Sequence, residues 1–188
     1  MDNTKKKIKR IDREDALLVL IDFQERLLPA MANSTELEDT VCRMAKGAKT
    51  LGLPILVTQQ YTRGLGNTVN SLSQILEKFS YVEKSTFSAF KTEEFKNAVE
   101  GSGKRTIILT GIETHICVEQ TALDLLEAGY NVVLLADCVE SRNHRNTKIS
   151  VNRMRDAGAV ISNYESVLYE MLTTSKAAEF KDISNIVK

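Results

Sequence analysis

Ile107-Ile108-Leu109-Thr110-Gly111-Ile112-Glu113-Thr114-His115-Ile116-Cys117-Val118 reads as a buried strand, a short polar turn and the first residues of a helix. The apolar run suits a strand covered on both faces. The first N–H groups of a helix have no partner inside it, and the helix dipole makes that end electropositive. A cysteine placed there is expected to lose its proton near neutral pH. That would make Cys117 a nucleophile or a redox centre.

Working outward, the strand-then-helix pattern recurs on both sides. Ala16 to Ile21 is a continuous apolar run that stops at Asp22-Phe23-Gln24. Asn33-Ser34-Thr35 can cap a helix from Glu36 to Leu51, which Gly52 and Pro54 end. Ile55 to Thr58 is a second strand, followed by the polar loop Gln59 to Asn67. A short helix fits Ser71 to Lys78, and Ser80 to Lys84 fits a third strand. Another helix starts at Thr92 and ends at Gly101-Ser102-Gly103. After the fourth strand come a helix from Thr114 to Ala128, a strand from Val132 to Ala136 and a helix from Asn146 to Ala157. Ala159 to Ser162 is a sixth strand, and Tyr164 to Lys188 reads as one or two surface helices. Strands alternating with helices predict an α/β fold, a three-layer α/β/α sandwich around a six-stranded parallel sheet, Rossmann-like in its winding.

The chain has 188 residues, enough for one domain with a full core. Apolar residues make up 43% and charged residues 27%, as in an ordinary soluble globular protein. The net charge of zero gives no global attraction to nucleic acid or to a membrane surface. Cys42, Cys117 and Cys138 are an odd number without a C-x-x-C pair, so reduced thiols are expected. The N-terminus has no apolar signal core, and no apolar run reaches the ~18 residues of a membrane span. These readings place the protein in the cytoplasm. The basic run Lys5 to Arg10 is balanced by Asp12, Glu14 and Asp15. Residues 1–15 therefore read as a basic and acidic extension, with 16–188 as the folded domain.

In wound parallel sheets, ligands bind outside the carboxyl ends of the strands. On that edge the first strand delivers Asp22, the third Lys84 and the fourth, through its turn, Cys117. The carboxylate can take the thiol proton as a general base, and the ammonium favours the ionised forms of both. Free N–H groups of the turn Glu113 to Cys117 can hold an oxyanion. Phe23, Gln24, Tyr61, Phe87 and Ile112 lie on the same edge as candidate pocket residues. Each residue alone has a plainer reading: Cys117 as a small core side chain, Asp22 as a turn residue, Lys84 as a surface charge. Ser141, Arg142 and Arg145 face an anionic substrate, a neighbouring subunit or only solvent. His115 stands two residues from Cys117 at a helix start, where side chains diverge. Cys42 and Cys138 read as structural.

Four stretches carry a resemblance: Leu18-Val19-Leu20-Ile21-Asp22-Phe23-Gln24, Glu83-Lys84-Ser85-Thr86-Phe87-Ser88-Ala89-Phe90, Thr110 to Val118 with Gln120 to Leu126, and Leu135-Ala136-Asp137-Cys138-Val139. Together they make the chain similar to the isochorismatase-like cysteine hydrolases from about Ala16 to Tyr169, and most of all to the isochorismatase domain-containing branch. The resemblance implies Asp22 as base, Lys84 as its cationic partner and Cys117 as nucleophile. It also implies a cis peptide at Ile112–Glu113, turning the Glu113 N–H toward an oxyanion beside the Cys117 N–H. Hydrolysis of a small amide, carbamoyl or ester substrate by a homo-oligomer follows from it. A catalytically silent binding protein and a thiol redox sensor at Cys117 are the alternatives. Isochorismatase chemistry itself cleaves a vinyl ether and needs no cysteine, so Cys117 points to carbonyl chemistry. Nicotinamidases of this family bind a metal through Asp and His in the loop after the second strand. Here Gln59 to Asn67 has neither, so no metal and no other cofactor is expected.

Overall fold

The computed structural model describes residues 10–188. Of the basic run Lys5 to Arg10, only Arg10 falls among them. Six strands form one sheet: β1 (Ala16–Ile21), β2 (Ile55–Gln60), β3 (Tyr81–Lys84), β4 (Thr106–Ile112), β5 (Asn131–Glu140) and β6 (Val160–Ser162). Their order is β3-β2-β1-β4-β5-β6, and every pair is parallel. The helices are α1 (Ser34–Thr50), α2 (Thr62–Leu65), α3 (Asn70–Leu76), α4 (Glu93–Gly101), α5 (Glu119–Glu127), α6 (His144–Asp156), α7 (Tyr164–Leu172) and α8 (Phe180–Val187).

Strand alternation divides the core in two. Leu18 and Leu20 of β1, with Ile108 of β4, pack toward α1, α3, α7 and α8. Leu17, Val19 and Ile21, with Ile107 and Leu109, pack toward α4, α5 and α6. The predicted three-layer α/β sandwich is therefore the observed one. The chain end differs from its surface-helix reading. Val167, Leu168, Met171 and Leu172 of α7 are buried, because the sheet needs that helix beside α1 to cover its face.

Two strands run further than their apolar stretches. β2 continues through Gln59 and Gln60, whose polar side chains are satisfied by distant partners. β5 continues to Glu140, with a register shift between Leu109 and Gly111 of β4. The extra length of β5 brings Glu140 and Ser141 beside the turn that follows β4. The strand order grows outward from β1 and β4, so the switch point lies between them, where Asp22 and the Glu113–Cys117 turn emerge.

Candidate active site

The residue after β1, Asp22, takes a φ of 58°. Aspartate enters this left-handed region more readily than most residues because its short side chain bonds locally. Gln24 N–H donates to Asp22 O at 2.7 Å and closes the turn. The carboxylate is thereby folded back over the end of β2, where Thr58 Oγ1 donates to Asp22 Oδ1 at 2.7 Å.

Lys84 arrives from the end of β3, with Nζ 2.7 Å from Asp22 Oδ2 and both side chains 0% exposed. The same Nζ donates to Gln60 Oε1 at 2.6 Å, to Phe87 O at 3.2 Å and to Thr86 O at 3.3 Å. An ammonium has three N–H groups. Four oxygens therefore crowd three N–H groups, and Asp22 Oδ2 is nearer the ammonium than either main-chain carbonyl. Thr58 holds one carboxylate oxygen, and the Lys84 ammonium faces the other.

Cys117 lies on a π-helical turn, Thr114–Val118, that leads into α5, and is 7% exposed. Its thiol is pushed up to about 12, first by burial and then by the charge of Asp22, with Lys84 pulling the other way. This corrects the expectation of a thiol ionised near neutral pH. A helix start does not outweigh desolvation next to a carboxylate. The resting group is a protonated thiol within reach of the Asp22 and Lys84 charges.

The Ile112–Glu113 peptide is cis. Glu113 O accepts Ile116 N–H and Cys117 N–H at 3.1 Å and Val118 N–H at 3.3 Å. This corrects the expectation of free N–H groups throughout the turn: those of Ile116 and Cys117 are engaged by Glu113 O, because the chain is already helical there. The N–H groups of Glu113, Thr114 and His115 donate to no protein group among the described residues. The Glu113 carboxylate is clamped by Arg142, with Nε 2.6 Å from Oε1 and N–H 3.3 Å from Oε2. His115 Nδ1 pairs with Ser141 Oγ at 3.0 Å and lies 3.6 Å from Glu113 Oε2, so its partner is Ser141 and not the thiol. Arg145 is exposed at the start of α6.

The pocket candidates separate. Tyr61 is 58% and Phe87 56% exposed, and both stand on the rim. Phe23, Gln24 and Ile112 present no surface. Phe23 and Ile112 belong to the core beneath α1. Gln24 Nε2 donates to Gln60 O at 3.0 Å and Gly66 O at 2.7 Å, and its Oε1 accepts Gln60 N–H at 2.7 Å. It ties the two loops together and does not face a ligand. Among the described residues no three His, Cys, Asp or Glu side chains converge as metal ligands do. Cys42 and Cys138 are buried, as structural cysteines are.

Thr58 and Gln60 escaped the sequence reading. The apolar pattern makes one plain strand and the other loop. The available signal was period: residues two apart on a strand share a face, so a strand continuing past Thr58 puts Gln60 beside it.

Fold and site together define a class: a wound parallel α/β protein with thiol, carboxylate and ammonium gathered at the sheet's switch point. The chain belongs to the isochorismatase family, whose isochorismatase domain matches residues 16–166. It is 35% identical over 167 residues to isochorismatase domain-containing protein 1 of Salmo salar, covering 89% of this chain and 59% of that one. The chain thus spans about three fifths of that relative's length. The MAR1 ribonuclease structure from Caenorhabditis elegans matches with a TM-score of 0.89 at 31% identity, over 95% of this chain and 92% of that one. The YcaC gene product of Escherichia coli, described as an octameric hydrolase of unknown specificity, matches with a TM-score of 0.88 at 25% identity, over 97% and 96%. Among the described residues no helix is long and apolar enough to cross a membrane.

Proposed function

We propose that the chain is a cysteine hydrolase acting on a small amide, carbamoyl or ester substrate through an acyl-enzyme on Cys117. The observation that carries this reading is the fully buried Asp22–Lys84 ion pair, whose two charges both act on the Cys117 thiol. A fully buried charge pair is costly to desolvate, and such costs concentrate where chemistry uses them.

Asp22 Oδ2 takes the thiol proton as Cys117 Sγ bonds to the substrate carbonyl carbon. The carbonyl π electrons move to oxygen, and the unengaged Glu113 N–H receives that oxyanion, joined by the Cys117 N–H as it leaves Glu113 O. Lys84 offsets the charge that passes between sulfur and carboxylate. When the tetrahedral species collapses, the leaving nitrogen or oxygen takes the proton from Asp22. Water then adds to the thioester with Asp22 again as base, and acid and thiol are released. A buried thiol that stays protonated at rest suits this use of a base. It also disfavours the redox-sensor alternative, which needs a thiolate.

The substrate is proposed to be a small molecule, and the active form a homo-oligomer, as the YcaC product is. The ribonuclease name of the C. elegans relative supplies a rival, which the zero net charge does not favour. A panel of small amides, carbamoyl compounds, esters and an RNA oligonucleotide, run against wild type and Cys117→Ala, tests both. Turnover of one carbonyl class, lost in Cys117→Ala, Asp22→Asn and Lys84→Met, is the expected result. Cleavage of RNA that survives Cys117→Ala would sink the proposal, and identical inert profiles would return the chain to the binding-protein reading.

A further inference from the structure

We propose that Glu140 is a positioning residue that sets the turn presenting the Glu113 N–H to the oxyanion. This deepens the hydrolase reading and rests on that N–H as an oxyanion donor. Glu140 ends β5 and stands opposite Ile112 in the sheet register, beside the start of the turn. Its side chain is 5% exposed. Oε1 accepts Thr147 Oγ1–H at 2.6 Å and Ser141 N–H at 2.9 Å. Oε2 accepts from His144 Nδ1 at 2.8 Å and from Asn33 Nδ2 at 2.9 Å. A carboxylate offers about four lone-pair sites, and four donors fill them. Burial alone would raise this carboxyl, but the bonds from Thr147, Ser141, His144 and Asn33 together hold it below the usual range.

The segment that Glu140 gathers reaches every residue of the turn. Ser141 is fully buried, and its Oγ lies 3.0 Å from His115 Nδ1. Thr147 Oγ1 lies 3.5 Å from Thr114 Oγ1. Arg142, which follows Ser141, clamps the Glu113 carboxylate. Glu113, Thr114 and His115 are also the residues whose N–H groups donate to no protein group among the described residues. An N–H without an acceptor does nothing to fix its own peptide, so the side chains must set its direction. The charges acting on the Cys117 thiol are those of Asp22 and Lys84. A change at Glu140 should therefore spare the thiol's own reactivity and disturb only the turn.

The test compares two reactions of Cys117 in the full chain at one neutral pH. With p-nitrophenyl acetate, Sγ bonds to the carbonyl carbon and the C–O bond to nitrophenolate breaks. The thiol proton passes through Asp22 to the leaving oxygen. With iodoacetamide, Sγ bonds to the methylene carbon and iodide leaves, so no oxyanion forms. Acylation is read as nitrophenolate release above that of Cys117→Ala, and alkylation by mass spectrometry. Glu140→Ala should lower acylation about tenfold to a hundredfold, the scale of a misplaced catalytic group, and leave alkylation at the wild-type rate. Glu140→Gln keeps an acceptor oxygen for Thr147 and Ser141 and should recover most of that loss. Thr147→Val, close in shape but without the hydroxyl, should lose acylation selectively to a smaller extent. Wild-type labelling at Cys42 and Cys138 shows that the fold has not opened; if Glu140→Ala fails that check, Thr147→Val decides. Acylation at the wild-type rate in the folded variants overturns the inference, as does an equal fall in both reactions or a Glu140→Gln rate no better than that of Glu140→Ala. Wild type that releases nitrophenolate no faster than Cys117→Ala overturns the hydrolase reading itself, and this inference with it.

Discussion

Asp22 does two opposite things to Cys117. It raises the thiol pKa by its charge, and in the proposed mechanism it takes the proton. Replacing it separates these effects. Asp22→Asn removes the negative charge while Lys84 stays, so the thiolate gains an unopposed ammonium. The thiol pKa should drop from about 12, by ~1–3 units on the usual scale of a neighbouring charge, while turnover of a carbonyl substrate is abolished. Thiolate ultraviolet absorbance against pH measures the first effect. An unchanged titration would mean that Asp22 does not act on the sulfur. The residue scale also shows what the sequence could carry. Asp22, Lys84 and Cys117 were readable because they stand at strand ends in stretches that resemble a family. Thr58 and Gln60 were not, because their partners lie 36 and 24 positions away and nothing local marks either pairing.

At the level of elements, the sites of contact are set by how closely β1 and β4 approach. Gly111 has a φ of +149°, and a Cβ added there would lie 2.5 Å from Ile21 Cβ and 2.8 Å from Ile21 O. The main-chain oxygen cannot step aside without moving β1, whose next residue is Asp22. Gly111→Ala should destabilise the fold by at least ~1–3 kcal/mol, the usual range for overpacking, visible as a lowered urea midpoint. A midpoint equal to wild type would show that β1 yields freely. Strand positions were legible from apolar runs, since parallel strands are buried on both faces. The ends of β2 and β5 were not. Gln59, Gln60 and Asp137 to Glu140 interrupt the apolar pattern, yet tertiary partners hold them in the sheet. The burial of α7 was likewise hidden, because a helix's own pattern does not say which layer lacks cover.

Across the whole molecule, burial raises the pKa of all three cysteine thiols, with Cys138 well above its usual value and Cys117 at about 12. A group whose folded pKa exceeds its unfolded one stabilises the fold below the unfolded value and loses that contribution as pH rises through the folded one. Urea midpoints should therefore decline from pH ~8.5, where free thiols titrate, upward, and decline less steeply in Cys117→Ala. Equal slopes would mean that the thiol is not held protonated by the fold. The switch point carries a different consequence. β1 and β4 lie side by side, with Thr110 Oγ1 bonded to Val19 O across 91 positions of chain. Closing so long a loop makes this pairing entropically costly and slow. During synthesis Asp22 emerges early and has no thiol to act on. Cys117 reaches Asp22 only when the central pairing forms, so the proposed chemistry waits until the sheet is joined.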